Sequence, residues 1–508
     1  MHRPVRLTLY PLKKTTEVEH GTPLRDILFT HGVEFPCGGR GRCKGCRIRI
    51  ISGELPITPP QERMLSRAEL DAGWRLSCQC QATSDLTLEL GQFEASVLSD
   101  DAKFTFTPRT GLGIAVDVGT TTLVAQLLDL TNGSVLSVRT ALNPQARYGA
   151  DIMSRVSAAV LDGAQPKLVE LVRKQIGKMI AGLLDLASAS SGEIRQVVLV
   201  GNTVMHHLFS NLDVAPLSYY PFESPHLGLQ QCASDQLGWS IPGNPQVLFL
   251  PCPGGFVGSD ILAGVLATGL HENSTYRCLI DLGTNGEIVV GNRDRIFCCS
   301  TAAGPAFEGA GISRGMRAST GAISEVAVFE DRLSCSVIGH VPARGICGSG
   351  LVDAVAGMLD LAMIGTDGLI FGGSDSVMVC PPIELTQLDV RQLQLAKGAI
   401  AAGVRILLKE MGISKNDVAA VYLAGAFGNY VNSESARRIG LLSFHDDQII
   451  PAGNTALRGA KMALFLDPEV FTHLQEKMVH LGLSTDPEFQ DIFVEEMGFP
   501  DQSTFRPD

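Results

Sequence analysis

One short motif is written twice in this chain. An apolar run at 114–118 ends in Asp117-Val118-Gly119-Thr120-Thr121-Thr122, and another at 278–282 ends in Asp281-Leu282-Gly283-Thr284-Asn285-Gly286. Each copy is followed by a second extended segment, 123–130 and 287–290, closed by Asn132-Gly133 and Gly291-Asn292. Asn-Gly is a hairpin signal, so each copy is expected as strand–turn–strand. A duplicated unit of this kind predicts two similar lobes facing a cleft. The run 419–423 into Ala424-Gly425-Ala426-Phe427-Gly428 adds a glycine-rich turn after a third buried strand.

A lone Asp-x-Gly-Thr turn is more often a tight hairpin than a site. Two of them plus a glycine turn point to a nucleotide. Backbone N–H groups and hydroxyls hold phosphate oxygens. Asp117 and Asp281 are the candidate catalytic pair, holding Mg²⁺ through waters or orienting an attacking water. The chain has no P-loop, no kinase glycine loop and no GxGxxG fingerprint.

A second constellation lies near the N-terminus. Cys37, Cys43 and Cys46 have C-x5-C-x2-C spacing in a glycine-rich loop, and Cys78 follows about thirty residues later. Three thiolates on one loop and a fourth from afar suit a [2Fe–2S] cluster. Zinc sites favour two C-x2-C knuckles, and only one is present. Cys80 competes with Cys78 as fourth ligand, because alternate residues of a strand at 75–81 share a face. Without a flavin or nicotinamide fingerprint, electrons come from an external donor.

The 508 residues allow two to four domains. A net charge of −12 argues against nucleic acid as a partner. Segment 1–14 carries four Lys/Arg and no apolar h-region, so it is not a signal peptide; with no spanning segment, a cytoplasmic protein without membrane contact is expected. Thirteen cysteines in that compartment favour ligation over disulfides. The expected domains are 1–91, a linker 92–110, and 111–508 with lobes meeting near 275–280. Helices are expected at 23–31 (Thr22 as N-cap, Pro23 at N1), 62–70, 168–186, 351–359 and 389–411, with Lys397 on a solvated face. Gly348-Ser349-Gly350 reads as a packing turn or helix start. His206-His207 and Cys298-Cys299 read as core. Cys232, Cys252, Cys335, Cys347 and Cys380 lack ligand spacing.

With these residues assembled, the sequence resembles the reductive activators of corrinoid-dependent methyltransferases. The resemblance runs nearly end to end. It is carried by Asn143-Pro144-Gln145 with Tyr148-Gly149-Ala150-Asp151, Gly201-Asn202-Thr203-Val204-Met205, Pro253-Gly254-Gly255-Phe256-Val257-Gly258-Ser259-Asp260, Asp281 to Glu287, Gly304-Pro305-Ala306-Phe307-Glu308-Gly309 and Leu423 to Gly428. It implies an α+β N-terminal ferredoxin-like β-grasp domain and an α/β two-lobed actin-like (ribonuclease H-like, duplicated) ATPase domain. It places ATP against Gly119, Thr120 and Thr121, against Gly283, Thr284 and Asn285, and against Gly425, Ala426, Phe427 and Gly428. It selects Cys37, Cys43, Cys46 and Cys78 as cluster ligands. The implied function is ATP-dependent return of an electron to the Co(II) corrinoid of a partner protein, in a homodimer. Longer relatives carry a middle domain where this chain has about twenty residues. The rival readings are an activator of another low-potential enzyme and a small-metabolite kinase with a redox-sensing ferredoxin domain.

Overall fold

The structure, a computed structural model, describes residues 3–10, 14–29, 31, 33, 41, 46–90, 104–149, 151–187, 194–241, 243–283, 285–428 and 430–501. The chain divides into two compact units, Met1–Ala95 with Pro144–Ala164, and Ser96–Asn143 with Gln165–Asp508.

The first unit is built on a five-stranded sheet ordered Lys14–Val18, Val5–Tyr10, Leu86–Leu90, Arg47–Ser52, Trp74–Leu76. Its first and last long strands, Val5–Tyr10 and Leu86–Leu90, run parallel at the centre. Alternation explains the buried face: Val5, Leu7 and Leu9 point inward with Leu86, Leu88 and Leu90. Three expectations need correction here. Thr22 and Pro23 do not start the helix; they pair with Gln81–Ala82, and the helix is Leu24–Phe29. The helix expected at 62–70 is two, Pro59–Met64 and Arg67–Asp71, because Ser66 forms a capping box with Glu69 and restarts the chain. The strand expected at 75–81 ends at Leu76 and gives way to a 3₁₀ turn, Ser77–Gln79.

The second unit holds two six-stranded sheets of matching order. One runs Val135–Leu142, Thr122–Asp129, Leu112–Val118, Ile194–Val200, Gln246–Phe249, with Gln230–Ala233 on its edge. The other runs Ile296–Thr301, Gly286–Gly291, Tyr276–Leu282, Val418–Ala424, Ile449–Gly453, with Met478–His480 beyond the third strand of its meander. In each, three strands form an antiparallel meander and the next two join in parallel. The duplicated motif therefore is a duplicated sheet. Each meander is covered by a long helix, Gln165–Ala187 or Gln387–Met411. The helices Ser259–Thr268 and Thr455–Ala463 pack on each other between the lobes. No described helix is long and apolar enough to cross a membrane.

One further expectation changes. Lys397 is not solvated: it is 1% exposed, its Nζ donates to the Gly498 carbonyl at 2.6 Å, and it sits 5.8 Å from the Phe499 ring. Burial pulls its pKa down to about 8. It is an anchor for the C-terminal segment. Gly348-Ser349-Gly350 lies inside the helix Gly348–Asp360 as its first turn. His206 and His207 are buried and bonded to Gly228, Thr203 and Ser224, as core residues. Within the segment read as a linker, Phe104 and Phe106 pack on Phe465 at 5.6 and 4.4 Å.

Candidate functional site

Two sites have to be built. At the first, Cys46 and Cys78 are described; Cys37 and Cys43 lie outside the described residues. Ser77 joins the pair: its N–H and its hydroxyl both donate to the Cys46 carbonyl, at 3.1 and 2.9 Å. The 3₁₀ turn therefore seats Cys78 next to the end of the cysteine loop. That loop also approaches from its middle. Gly41 has φ +66°, and a Cβ there would fall 2.9 Å from Pro60 Cβ and 3.0 Å from Gln79 Cδ. Only glycine accommodates that conformation and that approach together.

Cys80 is turned the other way. The 3₁₀ turn removes the shared face that a strand would have given Cys78 and Cys80. Cys80 is 4% exposed, donates to the Leu76 carbonyl at 3.3 Å and accepts from Gln61 Nε2 at 3.5 Å. Burial pushes its thiol up to about 12, against the Gln61 hydrogen bond. A thiol so placed stays protonated and faces the core, whereas ligation needs thiolate. Cys78 is half-buried, and Gln79 Nε2 lies 3.5 Å from its sulfur. The donors described thus fit a thiolate-ligated cluster at Cys46 and Cys78.

The second site lies wholly within the larger unit. The first Asp-Gly-Thr turn is held from behind by Asn143, whose Nδ2 donates to the Gly119 carbonyl at 2.9 Å and whose N–H donates to the Thr121 carbonyl at 2.8 Å. A trans peptide points its N–H opposite to its C=O. Pinning the Gly119 carbonyl therefore aims the Thr120 N–H away from Asn143. Asn202 Nδ2 donates to Thr120 Oγ1 at 2.8 Å. Asn454 Nδ2 donates to Asp117 Oδ2 at 3.0 Å. Both asparagines also cap helices, with Oδ1 accepting from Met205 and Leu457 N–H. Each serves a helix end with one side-chain atom and the turn with the other.

In the second turn, Gly283 N–H donates to the Asn285 carbonyl at 3.1 Å; Thr284 lies outside the described residues. Gly425 closes on this turn. It has φ +82°, and a Cβ there would lie 2.6 Å from Asp281 Oδ1. Gly425–Gly428 is a short helix rather than an open turn, and the Phe427 ring is buried and stacked on Phe307 with centroids 4.5 Å apart. Its ring is occupied in the core.

Four carboxyls converge electrostatically on the space between the turns. Burial raises Asp117 to about 6, with the Asn454 hydrogen bond opposing. Burial and the charge of Asp117 raise Asp281 to about 7. Burial, Asp281 and Asp117 raise Asp260 to about 8. Glu287 is raised well above the carboxylate range by burial, Asp260 and Asp281, with Asn285 opposing. Such a group of anions is tolerable when protons or a cation balance it. Among the described residues, no three His, Cys, Asp or Glu side chains are placed to hold a bare metal ion. Mg²⁺ keeps much of its water and is bound through one or two carboxylates and the substrate's phosphates, a donor set that Asp117 and Asp281 can supply.

Asp260, Glu287, Asn143 and Asn202 lie in motif segments whose sequence alone assigns them no role, and Asn454 lies outside those segments. The available signal was the pattern of an asparagine just ahead of a helix.

Three family models match the chain. One, described as a 2Fe-2S iron-sulfur cluster binding domain, covers 7–83. One described as the RACo middle region covers 112–273, which is the first of the two lobes, so a middle region is present in this chain and the expectation that about twenty residues stand in its place is corrected. One described as the C-terminal domain of RACo, the ASKHA domain, covers 275–507. Corrinoid activation enzyme RamQ of Eubacterium limosum is 36% identical over 427 residues, 77% of this chain and 70% of the relative. The Co(II) methylated amine-specific corrinoid protein reductase of Methanosarcina barkeri is 29% identical over 426 residues, 76% of this chain and 77% of the relative. A solved structure described as a reductive activator for corrinoid, iron-sulfur protein superposes with a TM-score of 0.69 at 27% identity, covering 99% of each chain.

Proposed function

The chain belongs to the family of reductive activators of corrinoid proteins, and from that premise we propose that it uses ATP to pass an electron to the Co(II) corrinoid of a methyltransferase system, restoring Co(I). It is an ATP-dependent enzyme with a ferredoxin-like domain and an actin-like ATPase fold on one chain. The observation that carries the reading is this pairing of a cysteine site with a buried carboxylate site.

Cys46 and Cys78, with Cys37 and Cys43, would hold the [2Fe–2S] cluster. When bound, it supplies a one-electron centre near about −400 mV. Co(I) is a stronger reductant than that, so transfer is uphill. ATP shifts such a balance only by binding one state of the protein–client complex better than another. For that binding, Asp117 would hold Mg²⁺ through water, and Gly119, Thr120 and Thr121 would hold the phosphates. Asp281, with Gly283, Thr284 and Asn285, orients the attacking water. The backbone of Gly425, Ala426, Phe427 and Gly428 contacts the adenosine. Asp260 and Glu287 hold protons beside this pair. The domain bounds 1–91, 92–110 and 111–508 go with this reading; 92–110 falls outside all three family models. So do a homodimer, an external electron donor and a cytoplasmic location.

The test is direct. Dithionite-reduced protein should convert Co(II) to Co(I) on a partner corrinoid protein, seen as a cobalt absorbance change, only with hydrolysable ATP. Cutting the chain within 92–110 should slow reduction because tethering raises effective concentration. Full-rate reduction without nucleotide, or phosphorylation of a small molecule with no cobalt change, would overturn the function. The ligand assignment stands separately: Cys78→Ala should lose the visible cluster spectrum and Cys80→Ala should keep it.

A further inference from the structure

A glutamine amide donates to each of the two cysteine sulfurs at the turn Ser77–Gln79. Gln61 Nε2 donates to Cys80 Sγ at 3.5 Å, and that thiol is buried in the core. Gln79 Nε2 donates to Cys78 Sγ, also at 3.5 Å. The first contact serves a sulfur that holds no metal. The second serves a sulfur assigned to the cluster.

The surroundings of Gln79 hold its amide in place. The turn is closed by the Cys80 N–H on the Ser77 carbonyl at 3.2 Å, and Ser77 is itself tied to the Cys46 carbonyl. Gln79 Nε2 is shared between the Cys78 sulfur and the Cys78 carbonyl, the latter at 3.4 Å. The same amide packs against the loop that carries Cys37 and Cys43. A Cβ on Gly41 would lie 3.0 Å from Gln79 Cδ and 3.1 Å from its Nε2. The missing side chain at Gly41 is what admits the amide, so the loop and the turn close on it together.

We propose that Gln79 is a positioning residue that sets the reduction potential of the [2Fe–2S] cluster through the Cys78 sulfur. The inference rests on Cys78 being a cluster ligand. Reduction adds one electron, and part of the added charge falls on the ligand sulfurs. An N–H aimed at such a sulfur stabilises the reduced state more than the oxidised one, and so raises the potential. One electron enters the cluster from the external donor, and one leaves it to turn Co(II) into Co(I). Gln79 therefore shifts driving force from the second transfer to the first. The cluster loads more readily, and the gap that ATP has to cover widens by the same amount.

The experiment is a mediated spectroelectrochemical titration of the cluster-loaded full chain, without nucleotide or partner. Gln79→Leu keeps the bulk and removes the N–H. Gln79→Glu keeps the shape and sets a carboxylate by the sulfur. Both should retain the wild-type cluster absorbance. At a fixed solution potential the reduced-to-oxidised ratio should fall about threefold in Gln79→Leu, a midpoint lower by about 30 mV, and about tenfold in Gln79→Glu, a midpoint lower by about 60 mV. Cys80→Ala should leave the midpoint at its wild-type value, because that thiol faces the core. An unmoved or raised midpoint in Gln79→Leu overturns the proposal. So does loss of the cluster in both variants, which would make Gln79 a support of the loop and not a determinant of its potential. Retention of the cluster in Cys78→Ala fails the ligand assignment and the inference with it. Loss of the cluster there, with the Gln79→Leu midpoint unmoved, fails the inference alone.

Discussion

The strand Leu112–Val118 turns through 119–122, and Asp117 then faces Val124 across the ladder. The strand Tyr276–Leu282 turns through 283–285, and Asp281 faces Glu287. The two hairpins begin from the same four-residue motif and sit at the same place in two matching sheets. One has an aliphatic side chain opposite its aspartate; the other has a second acid. The second turn is also one residue shorter. Asp117 has a hydrogen-bond donor in Asn454, which holds its pKa to about 6. Asp281 has the charge of Asp117, which helps lift it to about 7. Duplication supplied the frame, and divergence at single positions gave the two aspartates different surroundings. In the proposed division, Asp117 is the carboxylate for the cation and Asp281 the one that handles the attacking water.

The largest expected effect tests that division. Asp281→Asn should lower ATP turnover about a thousandfold with the cluster spectrum intact, while Asp117→Asn should lower it about tenfold to a hundredfold and raise the Mg²⁺ requirement. Steady-state ATPase assays over a Mg²⁺ series decide it. Equal losses would mean that the two aspartates are not specialised.

Next comes the glycine that closes on the second turn only. Gly425→Val should cut turnover about thirtyfold and cost about 1–3 kcal/mol of stability, because a side chain at φ +82° is strained and would displace Asp281 Oδ1. Turnover near wild type would show that the second turn tolerates displacement.

The carboxyl cluster gives a pH signature of a stated sign. Unfolded carboxyls lose protons near about pH 4. In the folded chain Asp117, Asp281 and Asp260 hold theirs to about 6, 7 and 8. Over that window the folded state binds more protons than the unfolded, so the contribution of these groups is full below about pH 4 and is lost as pH rises toward about 8. Thermal melts of nucleotide-free protein should show Tm falling across this range. Mg–ATP should flatten the fall, and Glu287→Gln should make it shallower by removing a carboxyl that is itself raised well above its ordinary range. A Tm that rises with pH in the nucleotide-free protein would contradict the cluster.

Much of this was legible beforehand because it is local. The doubled motif, the Asn132-Gly133 turn and the alternation of Val5, Leu7 and Leu9 each depend on neighbours within a few residues. The misreadings share a cause of the opposite kind. Lys397 looks solvated on its own helix, and only a carbonyl 101 residues later explains its burial. Cys78 and Cys80 alternate as strand residues would, until Ser77 is drawn to the Cys46 carbonyl and the chain tightens into a 3₁₀ turn. Glu287 follows directly on the second motif, but its place at the site comes from the register that sets it opposite Asp281.

The smallest expected effect separates the two asparagines that each cap a helix and reach a turn. Alanine at either position should cost about 1 kcal/mol as a lost N-cap. Their second roles differ. Asn202 supports a hydroxyl, Thr120 Oγ1, so Asn202→Ala should raise KM for ATP a few-fold and leave the pH profile in place. Asn454 supports a carboxylate, and its hydrogen bond is what holds Asp117 down against burial. Asn454→Ala should therefore shift the acid limb of the ATPase profile to higher pH, because Asp117 then keeps its proton longer. Measuring kcat/KM from about pH 5 to pH 9 in both variants distinguishes a lost cap from a lost charge partner. If the two profiles coincide, Asn454 acts only as a cap, and the lower pKa of the first aspartate has another source.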